Sequence, residues 1–330
     1  MQGKRRAFLK KSSKIAALSL VVNPLTYPLM AQTANFKTRK DTQMQYITLN
    51  NGVKMPTLGY GTFQIPPQET QKCVETALEL GYSLIDTAQS YFNEAQVGAA
   101  LKTALKGGIK RENLFITTKL WVSYVSEEGA YKAFEDSLKK LGLDYLDLYL
   151  IHQPYNDIYG AWRAMSKLYK EGRIRAIGVS NFYPNVLVDF ALYNEIKPAI
   201  NQIETHPFFQ REYEQKIHSK YGVPTNSWAS FAEGRNHLFE NAVLKQIAQK
   251  HNKNVAQVVL RWLVERGIVV IPKSVRKERM QENINIFDFK LDNADKKAIS
   301  TLDTGKSLFF DHRDVERVEW FYDLIKERNL

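Results

Sequence analysis

A (β/α)8 barrel of the TIM type is the fold this chain predicts, on three observations. Short apolar, β-prone runs alternate with amphipathic helical segments eight times in one unbroken series. No Gly-x-Gly-x-x-Gly follows the first parallel strand, where Thr62-Phe63-Gln64-Ile65-Pro66-Pro67 stands instead. An open doubly wound sheet, the competing architecture, usually carries that glycine loop. Finally, the chemically distinctive side chains fall at the C-terminal ends of strands, where such a barrel builds its active site.

The elements follow in order. Tyr46-Ile47-Thr48-Leu49, then Asn51-Gly52, then Val53-Lys54-Met55 reads as a β-hairpin, because Asn-Gly accepts the positive φ of a tight turn. In a barrel this hairpin is expected to plug the end opposite the active site. Strands are expected at about 57–62, 83–88, 114–119, 145–152, 176–180, 199–204, 225–230 and 268–273. Helices are expected over 69–80, 94–105, 130–141, 162–171, 185–193, 212–221 and 255–265, with 278–286 after the last strand. The single domain spans 46–330, including an aromatic C-terminal tail with Phe309, Phe310, Trp320, Phe321 and Tyr322. That tail either covers the substrate pocket or packs as a helix on the barrel exterior.

Ahead of the barrel, residues 1–34 read as a twin-arginine signal peptide and 35–45 as a linker. Lys4-Arg5-Arg6-Ala7-Phe8-Leu9-Lys10 precedes a modest apolar stretch over 15–22 that is too short to span a bilayer. Small residues near Ala31 and Ala34 offer a cleavage site. Export to the periplasm in folded form is the expectation, with a cytoplasmic location as the alternative. The net charge of +11 is concentrated here, since residues 1–40 hold nine basic residues and no acid, which leaves +2 for residues 41–330. The basicity is therefore not a nucleic-acid-binding face. One cysteine, Cys73, forbids an intramolecular disulfide, and its place in a helical pattern suggests buried packing. No group of histidines has metal-binding spacing, so no metal is expected.

Four residues carry the chemistry. Asp86 closes the second parallel strand, Tyr91 lies in the loop beyond it, Lys119 closes the third strand and His152 the fourth. A phenol is a poor acid at neutral pH. A lysine beside it favours the phenolate, and a carboxylate keeps that lysine charged and in place. The imidazole orients and polarises a carbonyl. Such a set protonates a carbonyl oxygen. Two other functions compete: a non-catalytic barrel subunit, which carbonyl-dependent oxidation of a reduced nicotinamide cofactor would exclude, and an aldolase or isomerase using Lys119 as a Schiff base, which borohydride trapping would reveal.

The chain resembles the aldo-keto reductase superfamily, and within it the bacterial 2,5-diketo-D-gluconate reductase-like branch, over about 45–305. The resemblance is carried by Met55-Pro56-Thr57-Leu58-Gly59-Tyr60-Gly61-Thr62, by Gly81-Tyr82-Ser83-Leu84-Ile85-Asp86-Thr87-Ala88 with Tyr91, by Gly178-Val179-Ser180-Asn181-Phe182 and by Asn201-Gln202-Ile203-Glu204. Ile271-Pro272-Lys273-Ser274-Val275-Arg276-Lys277-Glu278-Arg279, with Glu282-Asn283 beyond, completes it. The resemblance implies NADPH-dependent reduction of aldehydes or ketones in which Tyr91 donates the proton. It implies that Ser180, Asn181 and Gln202 bind the nicotinamide carboxamide and that Trp228 stacks on its ring. Lys273, Ser274 and Arg279 then hold the 2′-phosphate, helped by Arg276, with Glu282 and Asn283 on the adenosine; Gly61, Thr62 and Asp86 are further cofactor contacts. Tyr60, Trp121 and His152 are expected to line the pocket of a small carbonyl substrate (an aldehyde, a dicarbonyl or a keto sugar), and a monomer is expected. Three departures stand out: Gln153 replaces a common tryptophan, Thr205 a common tyrosine, and Phe231-Ala232-Glu233-Gly234-Arg235-Asn236 lacks the usual Pro-Leu-Gly of the loop over the pyrophosphate.

Overall fold

The computed structural model describes residues 44–328, so the expected signal peptide and all but the last two residues of the expected linker lie outside the described residues. Two short antiparallel strands, β1 (Tyr46–Thr48) and β2 (Lys54–Pro56), form the expected hairpin, with Tyr46 opposite Pro56. Gly52 at its turn has φ +86°, which a side chain would resist. Leu49 and Met55 join a buried cluster with Leu84, Phe115, Leu148, Leu150, Ile200 and Val269 from the barrel strands. Asn50 and Asn51 donate to the carbonyls of Pro198 and Arg175, each at 2.8 Å. The hairpin thus closes the N-terminal end of the barrel.

Eight parallel strands follow: β3 (Tyr60–Gly61), β4 (Leu84–Asp86), β5 (Phe115–Leu120), β6 (Leu148–Ile151), β7 (Ile177–Ser180), β8 (Asn201–Glu204), β9 (Thr225–Trp228) and β10 (Val269–Val270). They pair in chain order. The sheet closes where Leu58 bridges Val270, with Val270 N donating to Thr57 O at 2.9 Å and Gly59 N to Val270 O at 2.8 Å. Closure removes the sheet edges, as expected of a (β/α)8 barrel.

Between the strands lie α1 (Pro67–Glu79), α2 (Glu94–Lys106), α3 (Glu127–Leu141), α4 (Ile158–Lys170), α5 (Pro184–Tyr193) and α6 (Glu212–Tyr221). Their sequences set their ends. Pro67 starts α1, where a missing N–H costs nothing, and Ser126 caps α3 by accepting from Gly129 N at 3.0 Å. Gly142 ends α3 in the left-handed region. After β9 come α7 (Ala242–Lys250) and α8 (Val255–Glu265), then α9 (Lys277–Ile284), α10 (Asn293–Ser300) and α11 (Val315–Arg328). Helices α7 and α10 were not among the expected elements, although Asn241 and Asp292 cap them with their side chains; α11 is the helix that one reading of the tail allowed.

The strand expected over 145–152 begins only at Leu148. Asp147 is the reason: its buried carboxylate takes Ile116 N at 2.9 Å and pairs with Arg111 and Arg175 at 2.8 and 2.7 Å. This bolts β5 to β6 at the end of the barrel away from the site. Cys73 is buried, as the helical pattern suggested. Among the described residues, no helix is long and apolar enough to cross a membrane.

Candidate active site

The C-terminal ends of β4, β5 and β6 bring Asp86, Lys119 and His152 to one rim. A 3-10 turn, Gln89–Tyr91, adds Tyr91. Lys119 is completely buried. Its Nζ donates to Asp86 Oδ1 at 2.5 Å, to Thr87 O at 2.9 Å and to the Tyr91 hydroxyl at 3.1 Å. An ammonium has three N–H bonds, and all three are used. Because the Tyr91 oxygen accepts from Lys119, its own proton is left for another acceptor. The second oxygen of Asp86 accepts from Gln202 Nε2 at 3.0 Å, which ties the pair to β8.

The electrostatics assign each group a charge. Burial pushes the Lys119 ammonium down, but Asp86 and Tyr91 more than offset it and hold it charged above its ordinary value. Burial pushes the Tyr91 phenol up, and this outweighs the opposing pull of Lys119, so Tyr91 stays protonated. The expected pull of the lysine toward phenolate is present, but in the folded protein burial wins. His152 is held well below its ordinary value, first by burial, then by the charge of Lys119 and by His312. It is therefore neutral.

These groups open onto a cavity of about 670 Å³. Gly61, Asp86, Ser180, Asn181, Gln202, Trp228 and Lys273 line it, as do Trp121 and His152. Asn181 sits at φ +64°, a conformation asparagine tolerates, and its amide reaches His152 O at 3.2 Å while its oxygen accepts from Trp228 Nε1 at 2.8 Å. At Gly61 a Cβ would run into Ile271 O, so only glycine lets β3 approach that strand end.

Three expectations change. Tyr60 does not line the cavity: it is 1% exposed, and its hydroxyl donates to Ser274 O, so it holds the turn before α9. Thr62 is fully buried and bonds to Asp86 O through both its amide and its hydroxyl, away from the cavity. Ser274 Oγ accepts from Arg276 N at 3.1 Å and shapes the same turn. Arg279 and Glu282 are exposed on α9, and Asn283 is buried there. Among the described residues, Lys273, Arg276 and Arg279 have no carboxylate partner, which suits a dianionic phosphate.

The expected aromatic tail supplies the roof, through Phe309, Phe310, Trp320 and Phe321, but what seats it is not visible in the sequence. Glu204, at the end of β8, accepts from Ser307 Oγ at 2.6 Å and Leu308 N at 3.0 Å. This anchors the tail so that Phe309 and Phe310 enter the cavity wall, followed by His312 and, from α11, Trp320, Phe321 and Leu324. The tail is helical, as one reading had it, but the helix covers the barrel mouth, as the other had it, rather than packing on the exterior. Phe321 lies 6.0 Å from the Trp121 ring and 5.2 Å from Tyr155. Tyr322 points to solvent, 58% exposed. Arg235, from the loop that lacks Pro-Leu-Gly, donates to Leu308 O and stacks on Phe309 at 4.0 Å. No local pattern signals these meetings, because the partners are far apart in the chain. Among the described residues, no cluster of side chains forms a metal site.

Replacing Lys119 with Met leaves Asp86 buried and uncompensated, so stability should fall by about 3–5 kcal/mol in urea unfolding. Adding Asp86→Asn to that variant should restore part of it. Three buried histidines also set an acid dependence. His218 and His312 are lowered to about 3 by burial, and His152 falls well below its ordinary value. The unfolded chain takes up protons near pH 6.5 that the folded one refuses, so these groups favour unfolding below that pH. Between pH 6.5 and 5, unfolding free energy should drop with a slope approaching about 4 kcal/mol per pH unit. A flat urea midpoint across that window would contradict the assignment.

A model of the Aldo/keto reductase family matches residues 55–304. The oxidoreductase YtbE of Bacillus subtilis is 47% identical over 77% of this chain and 91% of its own length. Glyoxal reductase of the same organism is 46% identical over 78% and 92%. The solved Bombyx mori aldo-keto reductase in complex with NADP superposes with a TM-score of 0.77 at 33% identity, covering 84% of this chain and 97% of that one. With the buried acid–amine–phenol set, the neighbouring imidazole and the barrel that carries them, these matches show that the chain belongs to the aldo/keto reductase family.

Proposed function

We propose that this protein is an NADPH-dependent carbonyl reductase in which Tyr91 is the proton donor. The carrying observation is the hydrogen-bond count at Lys119: all three of its N–H groups are committed, so the phenol oxygen accepts and the phenol, which lines the cavity, keeps its own proton to give. NADPH, when bound, supplies the hydride that reduces the carbonyl carbon. Ser180, Asn181 and Gln202 would hold its carboxamide, with Trp228 against the ring, and Lys273, Arg276 and Arg279 its 2′-phosphate. The relative solved with NADP supports this cofactor.

Proton transfer is the task of this chain's own residues. Tyr91 gives its proton to the carbonyl oxygen, and the resulting phenolate is stabilised by Lys119, whose charge Asp86 maintains. Neutral His152 orients that oxygen. Lys119 is poorly placed as a Schiff-base nucleophile, because it is held as an ammonium with no free lone pair. The glyoxal reductase relative supports small aldehydes and dicarbonyls as substrates. An aromatic wall from Trp121, Phe310 and Phe321 also suits larger apolar carbonyls. The twin arginine at Arg5-Arg6 supports export in folded form.

Tyr91→Phe should lower NADPH-dependent reduction of methylglyoxal by about 10²–10⁴-fold, with NADPH affinity by fluorescence titration unchanged; retained turnover would remove Tyr91 from its role. Arg279→Ala should raise the Kd for NADPH about tenfold and leave that for NADH unchanged, as expected for one charge-assisted contact to the extra phosphate. Equal catalytic efficiency with both cofactors in the parent enzyme would contradict the phosphate pocket.

A further inference from the structure

The residue before the proton donor has a partner that the mechanism above does not use. Ser90 Oγ lies 3.3 Å from His152 Nδ1. Among the described residues His152 Nε2 has no protein partner, and the ring lines the cavity 5.7 Å from Tyr91 and 5.4 Å from Trp121 between ring centres. We infer that Ser90 is a positioning residue that donates its hydroxyl hydrogen to His152 Nδ1, and so fixes the imidazole proton on Nε2, facing the substrate.

Hydrogen-bond direction decides the tautomer. A neutral imidazole has one N–H and one lone pair. The hydrogen bond at Nδ1 determines which of these the other nitrogen presents. If Nδ1 carried the proton and donated it to Ser90, Nε2 would turn a lone pair toward the lone pairs of a carbonyl oxygen. If Ser90 donates, Nε2–H becomes a second donor to the oxygen that Tyr91 protonates. Ser90 Oγ has no competing acceptor among the described residues, so its hydroxyl is free to rotate to Nδ1.

The turn is also rigid enough to matter. Tyr91 N donates to Ala88 O at 3.0 Å, and Gln89 Oε1 accepts from Trp121 N at 3.2 Å. One short turn therefore carries both the phenol and the hydroxyl that meets the imidazole. This role rests on the carbonyl-reductase reading, but the tautomer is measurable without turnover.

The test uses the full chain labelled with ¹⁵N-histidine, with His152 assigned by comparison with His152→Gln. In the parent protein the His152 resonances should report the Nε2–H tautomer. Ser90→Ala should shift them toward a mixture and lower kcat/KM for methylglyoxal about tenfold, the worth of one oriented hydrogen bond, with NADPH affinity unchanged. Ser90→Thr, which keeps the hydroxyl, should restore both. An Nδ1–H tautomer in the parent protein overturns the assignment even if no variant folds. So does a Ser90→Ala enzyme whose tautomer and kcat/KM both match the parent, or one whose tautomer changes while kcat/KM does not. Absence of NADPH oxidation by the parent with any carbonyl would defeat the reductase reading alone and leave the tautomer result standing.

Discussion

A fully buried charged amine, matched to one carboxylate, is the constraint around which this molecule is arranged. An isolated ammonium in such a place is strongly disfavoured, and an ion pair offsets that only when its remaining hydrogens find acceptors. Lys119 meets the condition through Asp86, Thr87 O and Tyr91, which come from the end of β4 and the turn beyond it. Gln202, reaching from β8, takes the other oxygen of Asp86. Only a closed parallel barrel brings strands so distant in sequence to one floor. The fold and the protonation chemistry thus depend on the same few contacts.

The neighbouring groups divide the work by charge. Burial keeps the phenol protonated and the imidazole neutral, while the amine stays positive because its partners outweigh burial. One group keeps its proton, one keeps its charge and one is neutral. Had burial acted alone, the amine would be neutral and the phenol would have no counter-ion when it released its proton.

Asp86, Tyr91, Lys119 and His152 were legible in the sequence because parallel strands of a barrel deliver their C-terminal residues to the same face. Their convergence follows from topology and needs no knowledge of packing. Tyr60 and Thr62 were misplaced for the opposite reason. β3 is only two residues long, and nothing local says whether its side chains face the barrel mouth or the α9 turn. The tail was ambiguous because its seat depends on Glu204, about a hundred residues earlier in the chain. Ser90 carried no signal at all, being a common polar residue whose partner lies on another strand. The pull of Lys119 on Tyr91 was legible, but the net direction of the shift was not, because a sequence names the neighbouring charge and not the depth of burial.

The clip at Glu204 has a wider consequence. Its carboxylate grips the tail through a backbone amide and a hydroxyl, contacts that ask little of the aromatic residues just beyond. With Arg235, which donates to Leu308 O, it seats the roof through main-chain and hydroxyl contacts on either side of Leu308. The aromatic side chains beyond these anchors can thus be exchanged without loosening the grip on the tail, whereas His312 is the roof residue whose replacement the imidazole of His152 would feel.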